Sequence, residues 1–203
     1  MGGYTIKYKR LTACNTLVKP YLFGMEFALL RDWSGQDVSP ASDGGSWLIS
    51  EKRDGFRLGW TGTEFVSRDG NVFNAPDWFR AGLPSFALDG ELFAGRGGFN
   101  SIRRLMSKGW HGLTFEVFDV PCSEMPFAAR ARVLAALSLP SHARPVTHRL
   151  CVNAGDMMGF GCRIVNEGGE GAVVRRADSL WKAGRSGDVL RYVPQSPRLN
   201  RVK

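Results

Sequence analysis

The stretch Ser50-Glu51-Lys52-Arg53-Asp54-Gly55-Phe56-Arg57 is the most informative part of this sequence, because it places one lysine between two short strands. The segment before it, Trp47–Ser50, is mostly apolar, and Phe56–Trp60 alternates polar and apolar residues with a period of two. The Asp-Gly pair tightens the connection, and its glycine allows the backbone to approach a ligand closely. We therefore expect Lys52 at the end of a strand, beside a binding site.

A lysine in this position can act as a nucleophile only when its amine carries a free lone pair. A free lysine has a pKa of about 10.4, but a pocket that holds cations or excludes water lowers that value. Arg53, Arg57 and a bound metal ion would supply such a field. An exposed Asp-Gly hairpin with solvated charges would have the same residues. The segment alone therefore leaves both interpretations open.

Composition favours a polyanionic partner. The 203 residues carry a formal net charge of +8, which suits a nucleic acid or a nucleotide, and a hydrophobic content of 43% is enough for a real core. No apolar run approaches the ~20 residues of a membrane span, and the first residues lack the apolar segment of a signal peptide. We expect a cytoplasmic protein.

Cysteines and histidines give no sign of a zinc site or a disulfide framework. The four cysteines contain no C-x-x-C pair, so reduced thiols are expected. His111, His142 and His148 have no metal-ligand spacing, and we interpret them as surface or core histidines.

Short apolar segments punctuated by 25 glycines predict a strand-rich mixed fold in a single domain over residues 1–203. The predicted strands are Trp47–Ser50, Phe56–Trp60, Phe65–Ser67, Phe86–Phe93, Leu113–Val120, Ala172–Arg176 and Val189–Val193. The predicted helices are Phe99–Met106, with Asn100 and Ser101 as candidate caps, Pro126–Leu137 and Asp156–Val165. Residues 34–46 are rich in Gly, Ser and Asp and predict a loop.

Five segments follow Lys52 in a fixed order: Ser67-Arg68-Asp69-Gly70-Asn71, Leu88-Asp89-Gly90-Glu91-Leu92, Phe115-Glu116-Val117-Phe118-Asp119, Glu170-Gly171-Ala172-Val173-Val174-Arg175 and Ala183-Gly184-Arg185-Ser186. With the Lys52 segment, they resemble the ordered signatures of the covalent nucleotidyltransferases, and specifically of the small ATP-dependent DNA ligases. Residues 74–79 also resemble the minimal bacterial ligases. The resemblance runs from about Trp47 to the C-terminus, and is compatible with a bacterial or phage origin. It implies an α+β, ATP-grasp-like adenylation domain of mostly antiparallel sheets with flanking helices.

The resemblance also implies a role for each matching residue. Lys52 would take AMP from ATP, with Asp54 and Arg57 as further catalytic residues. Arg68 would bind the 5′-phosphate of DNA, and Glu170 would bind Mg²⁺. The nucleotide-binding residues would be Glu51, Lys52, Arg57, Glu91, Phe118, Val173, Arg201 and Lys203.

The last two of these residues depend on the alignment. The family ends its nucleotide pocket with two phosphate-binding lysines one residue apart. A gap-free alignment puts Arg191 and Val193 at those positions, whereas an insertion puts Arg201 and Lys203 there. We favour the insertion, because losing a phosphate cation should reduce catalysis.

Most of these residues also have a structural interpretation. Arg68 could be a hairpin-turn charge, Glu170 a solvated loop carboxylate, and Phe118 a core residue. Glu91 could form a buried pair with Arg57. Asp54 could orient Lys52 or a metal-bound water, or it could cap the turn.

The expected function is therefore that of an ATP-dependent DNA ligase domain. Lysyl-AMP would form at Lys52, AMP would pass to the 5′-phosphate of nicked double-stranded DNA, and a phosphodiester would form during repair or replication. A C-terminal OB-fold domain is expected to be absent, so a separate DNA-binding or clamp-like protein could assist an otherwise monomeric enzyme. An RNA ligase or a guanylyltransferase with the same lysine chemistry, and a non-catalytic basic nucleic-acid-binding module, remain the alternatives.

Overall fold

The computed structural model describes Met25 and residues 27–40, 45–122 and 124–194. In these ranges the chain forms one sheet of five strands and another of six. The strands are β1 (Ala28–Asp32), β2 (Trp47–Lys52), β3 (Phe56–Trp60), β4 (Phe65–Ser67), β5 (Val72–Phe73), β6 (Leu88–Phe93), β7 (Thr114–Asp119), β8 (Ala143–Pro145), β9 (Arg149–Cys151), β10 (Gly171–Arg176) and β11 (Gly184–Tyr192). The helices are α1 (Asp77–Arg80), α2 (Ile102–Ser107), α3 (Phe127–Ala135) and α4 (Ala154–Asn166), with a 3₁₀ turn at Phe99–Ser101 before α2.

The two sheets are mostly antiparallel. The smaller sheet has the order β1-β11-β10-β2-β9, and the larger has β5-β4-β3-β6-β7-β8. Only the pairs β1–β11 and β7–β8 among these strands are parallel. This arrangement confirms the α+β prediction.

All seven predicted strands are present, with shifted ends. β3 and β4 have the predicted bounds, whereas β11 begins at Gly184, five residues before the predicted start at Val189. Four strands were not predicted: β1, β5, β8 and β9. The last three have only two or three residues, which is too short for a clear alternation.

The three predicted helices are also present, but the expected caps of α2 are wrong. Ser101 occupies the N-cap position of α2 without a side-chain hydrogen bond, because the preceding turn is already helical. α4 begins two residues earlier than predicted, since the Asn153 side chain accepts a hydrogen bond from the backbone of Asp156. No helix in the described ranges is long and apolar enough to cross a membrane.

The smaller sheet has one packed face and one face that carries the site. Ile49, Ala172 and Val174 belong to a buried cluster that includes Met157 of α4. Residues that alternate with them point the other way, and cross-strand pairing aligns Lys52 with Gly171, Ser50 with Val173, and Val173 with Arg191. These residues therefore share the face opposite α4.

Candidate active site

Lys52 and Glu170 meet at the ends of two adjacent strands. Lys52 is the last residue of β2, and Glu170 directly precedes β10. Because Gly171 pairs with Lys52, the two side chains come together, and Lys52 Nζ lies 2.6 Å from Glu170 Oε2. The side chains are only 14% and 29% exposed. Glu170 is therefore an ion-pair partner of Lys52 and not a solvated loop carboxylate.

The Asp54-Gly55 turn presses against β6. A Cβ atom on Gly55 would collide with the Leu92 carbonyl oxygen and lie 2.8 Å from Glu91 Cγ, so the turn has no room for a side chain. The close backbone approach inferred from the sequence is thus an approach to a neighbouring strand. Asp54 makes no hydrogen bond or ion pair with any described residue, so it neither contacts Lys52 nor caps the turn here.

Arg57 pairs with Asp89 and leaves Glu91 without a partner. Arg57 donates from Nε and Nη2 to the two carboxylate oxygens of Asp89, both at 2.7 Å, and from Nη2 to the Ala28 carbonyl at 3.1 Å. The alternative interpretation, a buried pair between Glu91 and Arg57, is therefore not what the structure shows. The Glu91 carboxylate makes no hydrogen bond or ion pair with a described residue, and burial raises its pKa from 4.5 to about 7 despite the nearby charges of Arg57 and Lys52.

Phe118 faces the site and not the core. Its neighbours Phe115 and Val117 are fully buried in the larger hydrophobic cluster, whereas Phe118 is only half-buried. The Arg57 guanidinium lies over the Phe118 ring, 4.4 Å from its centroid. Along β7, Phe115 and Val117 therefore point into the core, whereas Phe118 points toward the site.

One cavity of about 180 Å³ brings together the predicted nucleotide-binding residues in the described ranges. Its walls include Glu51, Lys52, Arg57, Glu91, Phe118 and Val173. His148 also lines it, a position that was not predicted from the sequence. No local pattern around His148 signals this position, because tertiary packing alone brings the loop between β8 and β9 to the cavity.

A larger cleft of about 610 Å³ lies beside this cavity and shares Arg57 with it. Four further arginines line the cleft: Arg31, Arg68, Arg185 and Arg191. The Arg68 side chain is 64% exposed, on the turn after β4. Such a cleft is suited to a phosphate chain or a nucleic-acid backbone.

Arg191, the residue of the gap-free alignment, lies in β11 with its Nε 2.6 Å from Asp32 Oδ1. Val193 of the same alignment is exposed. Arg201 and Lys203, the preferred alternative, lie outside the described residues. The identity of the final phosphate cations therefore stays a prediction.

Arg96 links the segments that carry Lys52 and Glu170, and it was not predicted from the sequence. Its Nε and Nη2 donate to the two carboxylate oxygens of Glu51, at 2.9 and 3.0 Å. Its Nη1 donates to Glu167 Oε2 at 2.8 Å. Arg96 follows β6 of the larger sheet, so it ties that sheet to the nucleophile strand.

The described residues do not by themselves form a cage for a metal ion. The described part of the chain contains no group of three or more His, Cys, Asp or Glu side chains arranged to hold a metal ion. Mg²⁺ usually takes one or two carboxylates and completes its shell with water and substrate phosphates. The single carboxylate of Glu170 beside the arginine-lined cleft fits that mode of binding.

A similar sequence and several similar solved structures are DNA ligases. No family model matches the sequence. The DNA ligase of Haemophilus influenzae is 31% identical over 173 residues, which cover 82% of this chain and 62% of that ligase. This chain thus spans less than two thirds of that relative. A solved Lig E DNA ligase matches with a TM-score of 0.74 at 26% identity, over 84% of this chain and 69% of its own. The Chlorella virus DNA ligase-adenylate shares the fold, with a TM-score of 0.65 at 17% identity, over 83% of this chain and 69% of its own.

Proposed function

Because this chain belongs to the ATP-dependent DNA ligases of the covalent nucleotidyltransferase family, we propose that it is a ligase catalytic domain that adenylates Lys52 and seals nicked DNA. The observation that carries the proposal is the convergence of six residues, singled out in the sequence, on the cavity of about 180 Å³. Lys52 is ion-paired on its wall, beside an arginine-lined cleft.

The cavity offers complementary groups for each part of a nucleotide. Phe118 and Val173 supply apolar surface for a base. Glu91 has a mostly buried carboxylate without a described partner, and the hydroxyl groups of a ribose would provide that partner. Arg57, held by Asp89, would contact the phosphates. The phosphate chain would extend toward the larger cleft.

The first step is an in-line attack by Lys52 Nζ on the α-phosphorus of ATP. The N–P bond forms while the bond from that phosphorus to the bridging oxygen breaks, and pyrophosphate leaves. The ion-paired Lys52 ammonium must lose one proton to free its lone pair, and Glu170, 2.6 Å away, would accept that proton. A second proton leaves the nitrogen as the N–P bond forms and would pass to water. Mg²⁺ bound by Glu170 and the phosphates would offset charge on the transferring group.

The second and third steps act on DNA. An oxygen of the 5′-phosphate at the nick attacks the adenylate phosphorus, the N–P bond breaks, and Lys52 is regenerated. The 3′-hydroxyl then attacks the activated 5′-phosphate, a phosphodiester forms, and AMP leaves. Arg68 and Arg185 line the cleft where backbone phosphates would bind, so binding should weaken with salt.

We also propose that residues 1–203 form one nucleotidyltransferase domain, and that the protein works as a monomer in the cytoplasm, where ATP and DNA are available. A separate DNA-binding or clamp-like protein would assist encirclement of the duplex. The net charge of +8 supports a DNA partner.

Intact mass spectrometry tests the proposal directly. Protein freed of AMP with Mg²⁺ and pyrophosphate is incubated with Mg²⁺ and either ATP or GTP. Wild type should gain one AMP from ATP, and Lys52→Ala should gain none. Lys108→Ala is the matched control, because Lys108 is an exposed lysine outside the cavity. Equal labelling of Lys52→Ala would exclude Lys52 as the nucleophile, and labelling from GTP alone would favour a guanylyltransferase.

A second assay separates ligation from adenylation. Adenylated protein is mixed with a 5′-phosphorylated nicked duplex, and the product is measured on a denaturing gel. Sealing supports the DNA ligase proposal. Adenylation followed by sealing of nicked RNA but not of nicked DNA would make the protein an RNA ligase.

A further inference from the structure

His148 lies on the face of the smaller sheet that carries the site, but the chemistry above does not use it. It directly precedes β9, whose pairing with β2 aligns Arg149 with Ile49. If the same register is continued by one residue, His148 lies opposite Ser50 of β2. Ser50 also pairs with Val173 of β10, so the three residues share one face of the smaller sheet. The imidazole lines the nucleotide cavity together with Phe118 and Val173. His148 is therefore at the apolar part of the cavity, where a base would lie.

The surroundings of His148 fix its protonation and orientation. The ring packs edge-on against Phe127, with the centroids 5.1 Å apart. Burial, and then the charge of Arg175, lower the pKa of His148 to about 4, although Asp119 acts in the opposite direction. At neutral pH the ring is uncharged, so one nitrogen donates and the other is left as an acceptor.

We propose that His148 selects adenine, by accepting a hydrogen bond from the exocyclic 6-amino group of the base at its free ring nitrogen. Guanine carries a carbonyl oxygen at that position, so two acceptors would face each other without a proton between them. A site built to accept a hydrogen bond rejects a ligand that lacks the donor, because its own polar atom is then buried unpaired. This inference rests on the proposed function, since it assigns the base specificity of the same cavity.

A comparison of two nucleotides in two proteins isolates this contact. Wild type and His148→Leu are each given ATP or purine riboside 5′-triphosphate, which has hydrogen in place of the 6-amino group. The apparent second-order rate constant of lysine modification is measured by intact mass. Wild type should prefer ATP by about tenfold, the size of one buried hydrogen bond. His148→Leu should lose most of that preference, through slower reaction with ATP and little change with the purine analogue.

Two further variants make the result specific. His148→Gln, which keeps a side-chain acceptor, should retain part of the preference. His142→Leu is the matched control, because His142 is also half-buried but packs on Phe79 outside the cavity. It should keep the wild-type preference.

The outcomes separate this inference from the proposed function. Modification of wild type with the same ATP preference in His148→Leu overturns the inference alone. A preference lost equally in His142→Leu also overturns it, since the effect would then be general. No modification of wild type by either nucleotide overturns the proposed function, and the inference with it.

Discussion

Replacing Glu91 with glutamine should change how the stability of the nucleotide-free protein depends on pH. The Glu91 carboxyl is mostly buried without a described partner, and its pKa is raised from 4.5 to about 7, first by burial. Below pH 4.5 this carboxyl is protonated in both the folded and the unfolded chain, so it costs nothing. As pH rises through 7, it ionises in the folded state as well, and the folded state then carries the full cost. The pKa of Glu91 is raised by about 2.5 units, and each unit corresponds to ~1.36 kcal/mol. Above pH 7 the ionised carboxyl therefore lowers the free energy of unfolding by about 3 kcal/mol.

Urea unfolding of wild type and Glu91→Gln at pH 5 and pH 8 measures this effect. Both proteins are first treated with Mg²⁺ and pyrophosphate to remove bound AMP. The free energy of unfolding of the variant, relative to wild type, should rise by about 2.5 kcal/mol between these pH values, because only a small part of the cost of ionising Glu91 is present at pH 5. A buried glutamine amide has its own cost, but that cost does not vary with pH.

The same substitution should weaken function while it stabilises the protein at pH 8. An amide can still contact a ribose hydroxyl, but it lacks the carboxylate charge, so adenylation at low ATP should be slower. Parallel stability curves for the two proteins from pH 5 to pH 8 would refute the reasoning. That result would mean that Glu91 has a partner or solvent access in the folded protein.

Three other substitutions test contacts around the site. Arg96→Ala should slow adenylation about tenfold with little change in the KM for ATP, because it removes the contacts that tie together the segments carrying Lys52 and Glu170. Arg104→Ala, which removes an exposed arginine, is the control and should have no effect. Gly55→Ala should lower the free energy of unfolding by about 1–3 kcal/mol in urea titrations, because its Cβ would collide with the Leu92 carbonyl. Arg68→Ala should weaken binding to nicked duplex and lower the slope of log K against log salt by about one, as titrations at several salt concentrations would show.

Local patterns predicted the strands around the nucleophile well, because β2 begins as an apolar run, β3 alternates, and an Asp-Gly pair separates the two. β1 escaped prediction for a physical reason. Its residues Ala28–Asp32 show no alternation, and the strand is held by parallel pairing with β11, which lies more than 150 residues later. Such pairing leaves no local signal. The edge strands β8 and β9 are too short to show a period.

The site shows the same division between local motifs and tertiary placement. Asp89 and Glu91 are two residues apart on one strand and point to the same face, so alternation could not decide which of them pairs with Arg57. In the structure, Arg57 forms its ion pair with Asp89. His148 and Arg96 belong to no recognised signature. Pairing of β9 with β2 brings His148 to the site, and contact between the two sheets brings Arg96 there.

The ion pair between Arg191 and Asp32 offers a way to decide which cations bind the phosphates. Arg191 shares a face with Val173, a wall of the nucleotide cavity, but its guanidinium is engaged by Asp32 of β1. If Arg191 is the phosphate cation, Asp32 competes with the phosphates for it. Asp32→Asn should then strengthen ATP binding a few-fold, a modest gain because exposed ion pairs are weak. If Arg201 and Lys203 fill this role, the substitution should leave ATP binding unchanged. Titration of Lys52→Ala protein, which cannot react, with and without Asp32→Asn, measures this difference, and weaker binding in the double variant would contradict both alternatives.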